Sequence, residues 1–343
     1  MKKLSLLVSL FVAGTVFGQQ TSQYGNASFN PFLINPAAGG MSNVMQYELT
    51  YRTQWVGYNG GPRTALFAGN SVLKVGSKST GLGEYNLNDN KFFHLPTRST
   101  GKTKHVLGGL AYNDAIGPFS KTALQVTYAI HLPLTSTINV GAGLGIGWSN
   151  LKLDESRVKL YDEIDNSYSL FLGSTSTYNG LDASGGLVIY NSNFAFGLST
   201  KQLLNNKIMF DGNATESNLA RHYFFHGAYH LMPDATVSVE PNVVAKYTPH
   251  SPSSIDAGIR FYYNNSSWLN LQYRTSNSFV VRIGTTLVKN LYIAYGYEMP
   301  TGKLSGVASS SHEIQLGIFL GNNRNLNKEI NNSIKESEGG ETE

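Results

Sequence analysis

Apolar and polar residues trade places at every second position along most of this 343-residue chain, and that period decides its architecture. Between 269 and 274, Leu269, Leu271 and Tyr273 fall on one face and Asn270, Gln272 and Arg274 on the other. Ile255, Ala257, Ile259, Phe261 and Tyr263 alternate in the same way with Asp256, Gly258, Arg260 and Tyr262. Leu124, Val126, Tyr128 and Ile130 alternate with Gln125, Thr127, Ala129 and His131. Ile314, Leu316, Ile318 and Leu320 do so with Glu313, Gln315, Gly317 and Phe319. Successive side chains of a strand point to opposite faces, so each segment is a strand with one apolar face. About fourteen such segments begin near residues 43, 63, 105, 119, 137, 181, 193, 220, 235, 254, 267, 278, 290 and 310.

A secreted sandwich turns that apolar face inward, whereas a membrane barrel turns it outward to lipid. Lys2 and Lys3 precede an apolar run over 4–16, and Val16-Phe17-Gly18 offers small residues for cleavage. Residues 1–18 therefore read as a secretory signal peptide. No later segment approaches the ~20 continuous apolar residues of a spanning helix. Charged residues make up only 14% of the chain, which is too few to cover a soluble surface of this size. Segments of about ten residues with aromatic ends, such as Trp55, Trp148, Tyr247 and Trp268, suit a wall whose aromatics sit at the lipid–water boundary. The expectation is an all-β, antiparallel outer-membrane barrel over 43–320, with an even strand number.

Connection lengths predict orientation. With a periplasmic N-terminus, the short turns at 131–136, 191–192, 232–234, 264–266 and 289 are periplasmic, and the long 150–180 and 200–219 stretches lie outside. The polar stretch 75–104 falls on the periplasmic side, either as an insertion or as a missed hairpin. Residues 321–343 lose the alternation and read as a polar periplasmic tail, so both termini share one side.

Other constellations resolve to structure rather than chemistry. Glycines 141, 143, 145 and 147 in GAGLGIG alternate with Ala142, Leu144 and Ile146, so they line one strand face and open interior space rather than cradle a phosphate. The faces opposite the lipid carry Glu48, Arg52, Glu240, Lys246, Asp256, Arg260, Arg274, Arg282, Glu298 and Glu313. Mixed charges in a lumen either pair into a filling network or line a pathway, and both readings stay open. His222 and His226 share a strand face, but no ligand spacing accompanies them. Asp154, Glu155, Asp162 and Glu163 read as solvated loop acids. With no cysteine and no spaced Ser/His/acid set, an enzyme is not expected, nor is a metal or other cofactor. The net charge of +4 is unclustered, which argues against nucleic acid as a partner.

Two blocks carry a family resemblance. FNPFLINPAAGG at 29–40 contains Asn30, Pro31, Asn35, Pro36 and Ala37, and YELTYRTQWVGYNGG follows from 47 with Tyr51, Arg52, Gln54, Trp55 and Gly57. The second block, GGLAYNDAIGPFSKTALQVTYAIHLPL at 108–134, contains Asn113, Asp114, Gly117 and Pro118. The chain resembles PorP/SprF-family membrane proteins of the type IX secretion system. That resemblance implies a barrel of the outer membrane in Bacteroidota and a role in secreting or surface-anchoring large cargo, in some members linked to gliding motility. The partners it implies are outer-membrane lipid, a secreted cargo protein or its C-terminal sorting domain, and other secretion or periplasmic peptidoglycan-binding components. The stretch 75–104 and the acidic-ended tail depart from the family pattern.

Between the signal and the first strand, 19–42 is an ordered lead-in. Asn35-Pro36 and Gly39-Gly40 break regular structure, and Phe29, Phe32, Leu33 and Ile34 are too apolar for a free tail. The segment either folds into the barrel mouth as a plug or packs beneath it. The expected function is a docking barrel for cargo or secretion components, and its rival is a passive or substrate-specific channel.

Overall fold

The computed structural model describes residues 25–42, 44–73, 98, 100–154, 157–158, 177–205, 207–208, 217–232, 236–249, 251–288, 290–301, 305–306 and 309–320. The signal peptide, the tail, most of 75–104, and the acids Glu155, Asp162 and Glu163 lie outside those residues. The wall begins with β1 (Met45–Thr53), β2 (Arg63–Leu73), β3 (Lys104–Ile116), β4 (Phe119–Pro133) and β5 (Asn139–Leu153). It continues through β6 (Thr177–Tyr190) and β7 (Phe194–Lys201). A small hairpin, β8 (Lys207–Ile208) and β9 (Ser217–Asn218), follows. The wall resumes with β10 (His222–Tyr229), β11 (Val237–Tyr247), β12 (Ser254–Tyr263) and β13 (Ser267–Arg274). It ends with β14 (Ser278–Val288), β15 (Leu291–Pro300) and β16 (Ser311–Leu320).

Fourteen of these strands form one closed antiparallel barrel, with β1 paired to β16 from Met45↔Leu320 to Thr53↔His312. Closure satisfies every strand edge, which is what a hydrocarbon environment demands. The expected segments all appear and start within two residues of the expected positions, except β6, which starts four residues before 181. The hairpin β8–β9 inside 200–219 was not anticipated; its strands are two residues long, too short to leave an alternation pattern.

The alternating pattern sorts as the period requires. Leu144 and Ile146 face outward at 68% and 71% exposure, while the alternate glycines of the same strand face the lumen. Outward tyrosines ring the wall at both ends: Tyr229 and Tyr263 where β1 begins, and Tyr51, Tyr223, Tyr247 and Tyr273 at the opposite rim. One assignment is corrected. Trp268 does not meet the lipid boundary but is 2% exposed inside the lumen. It shares parity with Asn270, Gln272 and Arg274, so the pleat itself turns it inward.

The end where β1 starts and β16 finishes is called the near end, and the other the far end. Near connections are short at 134–138, 191–193 and 264–266, whereas the longer stretches 154–176 and 202–221 join strands whose ends meet at the far end. At 264–266, Asn264 and Asn265 take φ of 48° each, and the Ser266 amide closes the turn on the Tyr263 carbonyl. Paired left-handed residues of this kind match the twist of a tight hairpin.

Candidate functional site

The described part of the lead-in, residues 25–42, packs among inward-facing side chains of the wall. Pro31–Leu33 and Pro36–Ala38 form two 3-10 turns, each opened by an Asn-Pro pair in which proline presets the first φ. Asn35 caps the second turn by accepting from the Ala37 amide at 2.9 Å. Asn30 makes no such cap; its side-chain amide instead donates to Glu48 at 3.1 Å.

Apolar side chains of the lead-in reach four sides of the lumen. Phe32 and Leu33 pack with Leu66, Ala68 and Leu110 of β2 and β3. Ala37, Ala38 and Met41 pack with Val188, Tyr190 and Ala195 of β6 and β7. Ala27 and Ile34 meet Phe224 and Val244 of β10 and β11. Phe29 stacks on Trp268 with ring centroids 4.9 Å apart. Phe32, Leu33, Ile34 and Ala37 are each at most 2% exposed.

Polar contacts fix the segment's height. The buried Glu48 carboxylate accepts from Asn26 and Asn30 of the lead-in, from Thr50, and from the Tyr292 hydroxyl at 2.8 Å. The Asn35 amide donates to the Leu187 carbonyl at 3.0 Å and lies 3.1 Å from His226 Nε2. Ser199 and Lys201 donate to the carbonyls of Ile34 and Leu33. Lys104 donates to those of Gly40 and Met41.

Glycines make the room. A Cβ on Gly143 would lie 2.5 Å from the Ala37 nitrogen, one on Gly108 2.6 Å from the Phe32 ring, and one on Gly186 would overlap the Asn35 side chain. Of the GAGLGIG glycines, Gly143 thus makes room for the lead-in, while Gly141 and Gly145 make room for the His131, Val188, Ser184 and Gln125 side chains of neighbouring strands.

Most of the inward charges pair. In the far half, Asp256–Arg274 (3.0 Å), Arg274–Glu298 (3.1 Å), Glu298–Arg52 (2.6 Å), Arg52–Glu313 (3.6 Å) and Glu313–Arg282 (2.7 Å) form one continuous chain. It holds three cations and three anions. Nearer the entrance, Glu240 takes Arg260 at 2.6 Å and Arg98 at 3.2 Å, with His230 at 3.6 Å. Arg98 belongs to the 75–104 stretch and reaches across the near mouth, where it also donates to the Ser192 carbonyl. Lys246 is inward and half-buried on β11.

The family-specific residues divide among three places. Asn30, Pro31, Asn35, Pro36 and Ala37 shape the lead-in, and Arg52 joins the charge chain while donating to Gln54 at 3.2 Å. The rest meet at the far rim. Trp55 (φ 54°) donates its amide to Ser311 Oγ, and Gly57 has φ 93°. Asp114 accepts from Thr64, Asn113 donates to Thr122 at 2.8 Å, and Gly117 (φ 55°) bonds Gly60 across the two loops at 2.9 Å. The Pro118 carbonyl accepts from the Asp154 amide, and Asp154 also pairs with Arg157. Tyr51 faces lipid. His222 and His226 both point inward, and no group of three or more metal-ligating side chains converges among the described residues.

Sequence reasoning missed Tyr292, Asn26 and Arg98 as members of these clusters. Tyr292 shares a face with Ala294 and lies 244 positions from Glu48, so no local signal pointed to it.

Several solved barrels resemble the chain. The toluene transporter TbuX of Ralstonia pickettii is 12% identical over 84% of this chain and 92% of that one, with a TM-score of 0.44. Pseudomonas putida TodX, also a toluene transporter, is 11% identical over 88% and 94%, at 0.43. Omp33 of Acinetobacter baumannii is 7% identical over 81% and 99%, also at 0.43. No curated protein matches the sequence. The model of the type IX secretion system membrane proteins PorP/SprF matches residues 16–318, nearly the whole wall together with the lead-in. On that match and on its closed fourteen-strand wall, the chain belongs to the PorP/SprF family of type IX secretion membrane proteins.

Proposed function

We propose that this protein is a docking barrel of the type IX secretion system. It holds secreted cargo, through the cargo's C-terminal sorting domain, or secretion components at its rims, rather than passing solutes through its lumen. The observation that carries this reading is the occupied interior: the lead-in buries Phe32, Leu33, Ile34 and Ala37 inside the wall, and the arginine–carboxylate chain lines the far half along β12–β16 and β1 with its arginines buried. A lumen occupied in this way leaves the rims as working surfaces. The family's second motif supports the far rim as one of them, since Gly60 and Gly117 tie two of its loops together.

In this reading residues 1–18 are a signal peptide, 19–42 the plug, and 321–343 a tail on the periplasmic side with the near end. Periplasmic secretion or peptidoglycan-binding components then meet the near mouth around Arg98, and cargo meets the far rim. The test is affinity purification from native membranes together with planar-bilayer recording of the purified barrel. Docking predicts a co-purifying surface protein bearing a sorting domain and little conductance. A steady open conductance with no protein partner supports the rival channel and overturns the proposal.

A further inference from the structure

The lipid-facing wall is not uniform. On β1–β4 and β16 the outward residues fall in cross-strand rows set by the register. One row runs Leu316, Leu49, Phe67, Ala111, Leu124 and the next Ile314, Tyr51, Ala65, Asn113, Thr122. Six of these are large and exposed (Leu316, Leu49, Phe67, Leu124, Ile314 and Tyr51), while Ala65 and Ala111 between them are small. The result is a groove of about 490 Å³ in the outer face of the wall. That volume is in the range of small-molecule clefts, and its sides are almost wholly hydrocarbon.

One row farther toward the far rim, the groove ends on a different chemistry. There the row reads His312, Thr53, Arg63, Ala115, Ser120. Arg63 opens β2 with its side chain outward and exposed. The other inward or rim arginines described above sit in ion pairs or hydrogen bonds, and among the described residues Arg63 has neither. Beside it the Asn113 amide donates to Thr122 Oγ1 at 2.8 Å and faces Ser120 at 3.4 Å, a polar cluster on a lipid-facing surface. An exposed guanidinium at the level of the Tyr51 girdle lies where lipid phosphates lie, and it offers a fork of donors suited to them.

We propose that this groove is a binding site for one membrane lipid with an anionic phosphate headgroup. An acyl chain lies over Ala65 and Ala111 between Leu49, Phe67 and Leu124, and the phosphate lies against Arg63. The site is independent of what the rims dock. The apolar floor gives affinity for any chain of the right length, and Arg63 supplies the preference for charge.

Native mass spectrometry of the full barrel, delipidated in detergent and titrated with phosphatidylglycerol or with diacylglycerol of the same chains, tests the assignment. The intact barrel retains one phosphatidylglycerol about tenfold more tightly than the uncharged lipid. Arg63→Gln removes that preference and leaves chain binding in place, whereas Ala65→Phe with Ala111→Leu fills the groove and weakens both lipids. Circular dichroism and heat-dependent gel mobility check that each variant is folded, as expected for changes on the lipid face. Equal retention of both lipids by the intact barrel overturns the proposal. So does undiminished binding by the filled-groove variant, or a protein chain seated on these strands in place of lipid.

Discussion

Two sides of the same lumen are closed by opposite means. On β12 through β16 and β1, long side chains meet along the inner face of the wall as the chain from Asp256 to Arg282. On β3 through β7, the inward positions include Gly108, Gly141, Gly143, Gly145 and Gly186 among mostly apolar or neutral side chains such as Leu110, Val188 and Tyr190, and the lead-in packs against them. One side fills itself, and the other is shaped to be filled. The lead-in settles the difference: it lays Phe32, Pro36 and Ala37 on the glycines and sends Phe29, Asn26 and Asn30 to Trp268 and Glu48. A barrel interior can thus be closed either by charges that compensate one another or by backbone that stands aside for a segment.

The strongest way to break this comparison is to delete residues 25–42. The glycine side then has no occupant, and burial worth ~1.5–3 kcal/mol is lost for each of Phe32, Leu33 and Ile34. We expect a large drop in the unfolding midpoint by heat-dependent gel mobility, with a stepwise conductance in planar bilayers. An unchanged midpoint and a silent bilayer would show that the lead-in closes nothing.

Next in size is Arg274→Met, which leaves Asp256 and Glu298 buried without their shared cation at a cost of about 3–5 kcal/mol. Urea titration of the folded barrel in micelles reads that loss. Conductance should stay low, because the glycine side is still occupied. On the same strand but the opposite face, Leu271→Arg should cost ~2–4 kcal/mol near the membrane midplane, seen as reduced folded yield in lipid vesicles.

Gly143→Leu attacks the other side and should cost about 1–3 kcal/mol through overpacking against Pro36 and Ala37. Its signature is the reverse of Arg274→Met, with modest destabilisation and raised conductance as the lead-in is pushed off its seat. If both variants change conductance alike, the two sides do not act separately. The smallest effect is Asn35→Ala, which removes a turn cap and the contact to the Leu187 carbonyl for about 1 kcal/mol. Hydrogen exchange at the Ala37 amide should rise while the wall amides stay protected.

Much of this was legible in the sequence because a pleated strand writes its two faces at every second residue. Leu271 and Arg274 could be sorted by parity alone, and so could the glycines of GAGLGIG. Trp268 obeyed the same parity, yet its aromatic character suggested the lipid boundary, and geometry outweighed residue type. Partners were not legible. Arg52 and Glu298 are 246 positions apart, and a list of inward charges does not say which ones meet. The lead-in's two Asn-Pro turns could be read as breaks, but their depth inside the wall depends on Gly143 and Gly186, which only the closed barrel brings opposite them.

The seam between β1 and β16 has a consequence for how the molecule is made. Those strands are the first and last of the wall, so the ring cannot shut until the final strand has been delivered. The lead-in is joined covalently to β1 and meets both flanks of that seam: Glu48 of β1 on one side, and Glu313 of β16 beside Gly25 on the other. An open, curling sheet can therefore gather the segment on its concave side and shut over it last, with no need to thread a finished opening. Occupancy of the interior and completion of the ring become a single late step in biogenesis.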